Sequence, residues 1–331
     1  MVESGIRDGR DGVPLAEAPL LSGVRAAVAA PSLHNSQPWR FQIHDETVDV
    51  YVDRRRQLEV VDPAGREMLI SVGAAVLNLR VAIRHGGRVP AWRLWPDPDE
   101  PDLVARVRPG PAAPPDPAVQ ALAVAIPKRH TNRRPFHRVV VSADVLDELA
   151  GAAAVEGAAL RTADAVARTA ILSLVRTAEQ RLRTEGRYRA ELTEWTRPSP
   201  GRRDGIPPQA FGPWAALETL PLRDFGLTQP QLRQRDERFE PYPTILVLST
   251  SGDGAEQWVR AGQALQRVLL VATHHGLAAT PMSQPLEIPT LRELLTDVGT
   301  GRWAQVILRI GYGQPTAATP RRPLDEVLIA A

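Results

Sequence analysis

Two stretches of this chain run in parallel and limit what it can fold into. Ala74 to Gly86, ending Val-Ala-Ile-Arg-His-Gly, aligns without a gap on Ala264 to Gly276, ending Val-Ala-Thr-His-His-Gly, and a glycine precedes each within two residues. Both are apolar at helical spacing, so both predict helices buried on most faces that need packed layers around them. The echo points to two related halves. Buried helices that close on glycine also resemble one another for purely local reasons, and this segment alone leaves both readings open.

Helices are predicted over 14–29, 66–85, 118–126, 143–153, 165–183, 188–195 and 258–274, with a helical turn over 290–295. Strands are predicted over 39–44, 48–52, 91–95, 103–107, 139–141, 158–162, 244–249 and 303–311. Asp45-Glu46 sits between the first two strands as a hairpin turn. Residues 109–117 hold five prolines and read as a break between regular elements, while Gly276 to Pro285 reads as a loop. From Arg197 to Pro241 periodicity disappears, and a connection of that length is usually a lid or a binding loop. Its aromatics Phe211, Trp214, Phe225 and Phe239 favour ordered contacts.

Composition removes several chemistries. With no cysteine there are no disulfides, thiolate nucleophiles or Cys-ligated metals, so redox chemistry requires a bound cofactor. The seven histidines show no metal-ligand spacing, and no metal site is expected. Lys128 is the sole lysine among 40 basic residues, the net charge is only +2, and the arginines are interspersed with acids, so no nucleic-acid partner is expected. No apolar run approaches the roughly 20 residues of a membrane span. The charged Met1 to Arg10 segment has no apolar stretch behind it, and a cytoplasmic protein is expected.

Three separated segments carry complementary polar groups. The first is Ala30 to Phe41, a proline-bounded helix-to-strand connector presenting Ser32, Asn35 and Gln37; the plain alternative is an ordinary turn whose Trp39 fills the core. The second is the basic run Lys128 to Arg134, joined by Arg321 and Arg322 near the end of the sequence. Arginine forks suit phosphate oxygens, although such clusters are also common as solvated faces. The third is Gly276 to Pro285, whose backbone N–H groups suit a flat ring. Together they fit a phosphate, a polyhydroxyl chain and a planar heterocycle.

These motifs resemble the FMN-contacting segments of the nitroreductase family: Lys128-Arg-His-Thr-Asn-Arg133, Pro31-Ser-x-x-Asn-Ser-Gln-Pro-Trp39, Gly276-Leu-x-x-x-Pro281 and Arg321-Arg-Pro. With Tyr188-Arg-Ala-Glu-Leu-x-x-Trp195 and Ser283-Gln-Pro-Leu-Glu287 they are most similar to the Acg-type FMN-binding oxidoreductases. The resemblance covers about residues 20 to 328 and implies an α+β, nitroreductase-like fold made of two fused pseudo-symmetric halves, mimicking a homodimer within a monomer. The halves are expected at 1–117 and 118–331, with 197–241 as lid. The first helix lacks an arginine clamp and no amide loop follows Phe136, so one intact FMN site and one degenerate counterpart are expected.

By the same resemblance Arg129, Arg133, Arg321 and Arg322 would hold the phosphate, with His130 and Thr131 at the ribityl-phosphate region. Pro31, Ser32, Leu33, Asn35 and Gln37 would approach from the other half, and Pro281, Met282, Ser283 and Gln284 would lie along the ring. The implied activity is hydride transfer from NAD(P)H to an electron-poor small molecule such as a nitroaromatic or quinone, with no catalytic side chain required. The alternatives are an FMN-sequestering protein with an occluded site and a pathway-specific flavin oxidase or dehydrogenase.

Overall fold

The computed structural model describes residues 17–213, 220–235, 237–297 and 299–330. The start of the expected first helix at Pro14, the charged Met1 to Arg10 segment and Trp214 lie outside the described residues.

Helices α1 (Glu17–Val28), α2 (Arg66–His85) and α7 (Ala255–His274) form the centre. A Cβ on Gly73 would lie 2.1 Å from the carbonyl oxygen of Val259, and one on Gly262 would lie 2.0 Å from that of Ile70. No side chain fits there, so α2 and α7 cross backbone against backbone. Across the same contact Gln266 Nε2 donates to Asn78 Oδ1 at 2.8 Å, and Asn78 Nδ2 donates to the Ala26 carbonyl at 2.8 Å, so the buried Asn78 amide is satisfied on both sides. Among the described residues α2 alone has the length and mean hydropathy of a membrane span, which the sequence reading credits to no segment. It is buried almost all round because it is the core helix.

Each half of the chain contributes one antiparallel sheet with the same winding. Strands β1 (Trp39–His44), β2 (Thr47–Val52), β3 (Arg88–Leu94) and β4 (Leu103–Ala112) are ordered β3-β4-β2-β1, with α2 between the two pairs. Strands β5 (Ala159–Thr162), β6 (Thr244–Thr250), β7 (Leu277–Pro281) and β8 (Trp303–Tyr312) form the second sheet, ordered β5-β6-β8-β7, with α7 between β6 and β7. Read from the opposite edge this is β7-β8-β6-β5, the first sheet's order strand for strand. Each sheet closes its own apolar core against α2 or α7. Strand β9 (Leu328–Ile329) then crosses back and pairs in parallel with β1, Phe41 opposite Leu328.

Helices α3 (Pro117–Ala125), α4 (Ala143–Val155), α5 (Ala165–Thr184), α6 (Gly186–Thr196), α8 (Pro289–Glu293) and α9 (Leu324–Val327) complete the chain. Three local expectations are corrected. The prolines after residue 108 do not end β4, which continues to Ala112 paired with β3 alone; β2 stops at the Val48–Val107 pair. A proline that lacks an N–H is tolerated where one side of the strand has no partner. Residues 277–281 are strand β7 and not loop, because β8 supplies a ladder from Leu277–Tyr312 to Pro281–Leu308. Conversely, 139–141 is no strand: its β-branched residues find no partner strand, and Val139 and Val140 are exposed.

Candidate functional site: a cavity between the halves

A cleft enclosing about 900 Å³ of empty space, its open mouth included, lies between the N-terminal end of α2, β7 and β8, and the 197–241 segment. Of the residues singled out from the sequence, Pro31, Ser32, Leu33, Thr131, Arg133, Pro281, Ser283 and Gln284 line it. They come from three distant stretches, and each is positioned by a different device.

The 31–37 loop is fixed by its own backbone. His34, Asn35 and Gln37 have left-handed φ values of 48°, 55° and 51°, a costly conformation for non-glycine residues that persists only where surroundings enforce it. Ser32 Oγ accepts from the Gln37 N–H at 2.9 Å. Gln37, fully buried, donates from Nε2 to the Arg203 carbonyl at 2.8 Å and accepts the Arg322 N–H at 2.8 Å. Asn35 Nδ2 donates to the carbonyls of Gly205 and Pro320 at 3.0 and 3.1 Å. These two amides therefore brace the loop against the lid and the 319–322 segment; neither lines the cavity.

The basic run is docked on β7. Asn132 N–H donates to Ala279 O at 2.9 Å, and Thr131 bridges Ala279 as an extra strand position. Behind it the buried Arg309 forks onto Glu240 at 2.7 and 2.6 Å and donates to the Arg134 carbonyl.

The arginines divide into two kinds. Arg129 is buried, and its Nη2 reaches the Ala29 carbonyl at 3.4 Å; Arg321 Nη2 reaches the same carbonyl at 3.4 Å, and its Nη1 donates to Asn35 Oδ1 at 3.0 Å. The Nε of each is enclosed without a partner, and among the described residues neither has a carboxylate within ion-pairing distance. Burial, and then the charge of Arg321, pull Arg129 down to about 9, and burial pulls Arg321 to about 10. Both remain cationic at neutral pH. His130, beside them, is held below its ordinary value by burial and by the same two charges. Arg322 behaves otherwise: its guanidinium is spent on the Gln37 and Glu326 carbonyls and the Glu326 carboxylate. It is a brace and not a free fork, because the turn into α9 presents acceptors at close range.

Met282 and Ser283, adjacent in the chain, face different surroundings. Met282 sits 1 % exposed in an apolar cluster with Val175, Phe239 and Ile307, and its N–H is taken by Ile307 O at 2.9 Å. Ser283 Oγ faces the cavity while donating to Glu287 Oε1 at 2.8 Å.

The 197–241 segment closes one wall, as its aromatics imply. Leu222, Arg223 and Phe225 line the cavity. Phe225 stands edge-on to His34 with ring centroids 5.6 Å apart, and the Arg133 guanidinium lies 4.6 Å from its ring centroid. Arg223 bonds the Tyr188 hydroxyl at 2.9 Å and pairs with Glu287. His34, Glu67 and Arg223 are cavity residues that the sequence reading does not name. His34 falls at an unassigned position of the amide loop, and Arg223 is one arginine among many. Glu67 looks like an ordinary first-turn acid on α2. Burial, opposed by Arg66 and reinforced by Glu287 and Asp62, pushes Glu67 up to about 8.

A family model described as "Nitroreductase family" matches residues 121–312, more than half of the chain. The chain belongs to the nitroreductase family. Among curated relatives of this nitroreductase-family chain, a Mycobacterium tuberculosis protein provisionally named NAD(P)H nitroreductase Rv3131 is 34 % identical over 312 residues, spanning 91 % of this chain and 88 % of its own. The M. tuberculosis protein provisionally named NAD(P)H nitroreductase acg is 31 % identical over 314 residues, spanning 92 % and 94 %. Among solved structures, the FMN-dependent nitroreductase NfnB of Mycobacterium smegmatis in complex with NADPH is 18 % identical with a TM-score of 0.40, covering 64 % of this chain and 98 % of that one.

Proposed function

We propose that this chain is an FMN-dependent oxidoreductase that takes hydride from NAD(P)H and delivers it to an electron-poor acceptor of the nitroaromatic or quinone type. The observation that carries the reading is the Arg129–Arg321 pair: two cations converging on one carbonyl, with enclosed, unbonded Nε donors and no carboxylate partner among the described residues. Buried charge of one sign is costly unless compensated, and a phosphate monoester supplies both the charge and the acceptors. The pair adjoins the cavity along two stretches of chain, through Pro31-Ser32 and through Thr131. FMN fits this donor set. Arg129 and Arg321 would hold its phosphate, and Ser32, Thr131 and Arg133 line the adjoining wall.

Bound FMN would supply the electron-transfer chemistry, and the protein supplies position and electrostatics. Asn35 orients Arg321, and Gln37 with Arg322 locks the loop that carries Ser32. The lid residues Leu222 and Phe225 keep water from the apolar wall. The matching sheet windings and the helix crossing support one chain acting as a fused pair of halves, with the first contributing 31–37 and the second contributing 129–133. A monomer with one site is part of this reading.

Because Arg223 and Phe225 already close one wall, a sequestering protein with little turnover is the second reading. Purified protein should be yellow. Anaerobic addition of NADPH should bleach the flavin of an enzyme and leave that of a sequestering protein coloured, whereas a colourless protein that takes up no added FMN would remove both.

A further inference from the structure

His34 is 5 % exposed, lines the cavity, and has neither Nδ1 nor Nε2 bonded to any described group. Buried imidazoles ordinarily satisfy at least one nitrogen. The backbone is held at a φ of 48°, so the ring is aimed here by the surrounding fold against the local preference. Its neighbours are unusual as a set. Phe225 presents an edge 5.6 Å away. The charged groups acting on the imidazole are Arg223 and Arg133, and with burial they keep it neutral, well below its ordinary value. Arg223 is answered by Glu287; Arg133 donates to the Ala210 carbonyl, stacks on Phe225 and has no acid partner among the described residues.

A neutral imidazole offers one donor and one acceptor. Beside a guanidinium with no acid partner among the described residues and an aromatic wall, it matches a planar ligand whose edge carries an anionic oxygen. The Arg129–Arg321 pair converges on the Ala29 carbonyl outside the cavity lining, whereas His34 meets Phe225 of the 197–241 segment inside it, so the two sites serve different groups. We propose that His34, backed by Arg133, is the specificity residue for the electron acceptor and selects electron-poor aromatic compounds that bear a carboxylate or phenolate oxygen. This rests on the reductase reading for the word acceptor, but the binding preference itself is measurable without turnover.

The test is calorimetric titration of oxidised, flavin-loaded protein with 4-nitrobenzoate and with the uncharged isostere 4-nitrobenzamide, in phosphate buffer so that any free Arg129–Arg321 pair is occupied. Hydrogen bonds to charged groups predict that the carboxylate binds about tenfold or more tightly in the wild type. In His34→Asn, a residue that tolerates left-handed backbone, that preference should fall to about threefold or less, with flavin retention after desalting unchanged. Equal affinities in the wild type, which need no variant, would overturn the proposal, as would a preference that survives in His34→Asn. Should the protein hold no flavin at all, the reductase reading fails separately, and the same titration on flavin-free protein still decides the role of His34.

Discussion

Two sets of buried and half-buried arginines in this fold look alike in sequence and differ in what surrounds them. Arg80 and Arg267 share Glu156, at 2.6 Å each, and Arg309 forks onto Glu240. Arg129 and Arg321 converge with no carboxylate between them. The first set has its charge answered as folded, although the Nε of Arg80 is unbonded, and joins elements distant in the chain. In the proposed reading the second is answered only when an anion arrives. The difference is one of counter-charge and not of burial, so a count of buried arginines says little about ligands until each is matched to its acid.

The sharpest way to test that distinction is to remove a shared acid. Glu156→Gln leaves the buried Arg80 and the half-buried Arg267 without their shared acid, and chemical denaturation should show a loss of about 3–5 kcal/mol. Burial raises Glu156, and its two arginines override that and hold it below the ordinary value. Its contribution is therefore present above the unfolded-state value and lost as pH falls through the folded one.

Arg129→Ala should behave in the opposite manner. FMN binding should weaken by about 1.5–3 kcal/mol, while flavin-free stability stays level or rises because Arg321 loses a repulsive neighbour. A drop in flavin-free stability as large as that of Glu156→Gln would erase the contrast between the two sets.

Glu67 probes the intermediate case, an acid beside Arg66 that burial nevertheless pushes from 4.5 to about 8. Between those values the folded state holds a proton that the unfolded chain has released. Stability should therefore decline as pH rises, with a slope no steeper than about 1.4 kcal/mol per pH unit. Thermal melts of Glu67→Gln across that range should lack the decline. The smallest expected effect is protection by inorganic phosphate. At a concentration equal to its own Kd it should stabilise flavin-free wild type by about 0.4 kcal/mol, and Arg129→Ala should respond less.

Much of the scaffold is legible because periodicity is a local property. The expected α2 coincides with the observed helix, and α5 and α7 begin or end within a few residues of their expected limits. The motif segments 31–37, 129–133 and 281–284 also converge. What escapes notice depends on partners far away in the chain. The prolines of β4 are tolerated only because β2 has already ended, and β7 becomes a strand only because β8 lies beside it. Arg321 and Arg322 are adjacent and chemically identical, yet one points at a shared carbonyl and the other is consumed by Gln37 and Glu326. His34 and Phe225 are 191 positions apart, and only their contact gives either one a meaning.

The return of the chain to its first sheet also sets an order of events during synthesis. Phe41 pairs with Leu328, and Asn35 meets Arg321, so the strands of both sheets except the last are synthesised before the anion clamp can close. Prosthetic-group loading then belongs to the final stage of maturation, after residue 321 has emerged and folded back, and translation stopped short of that point would yield a largely folded product unable to retain its nucleotide.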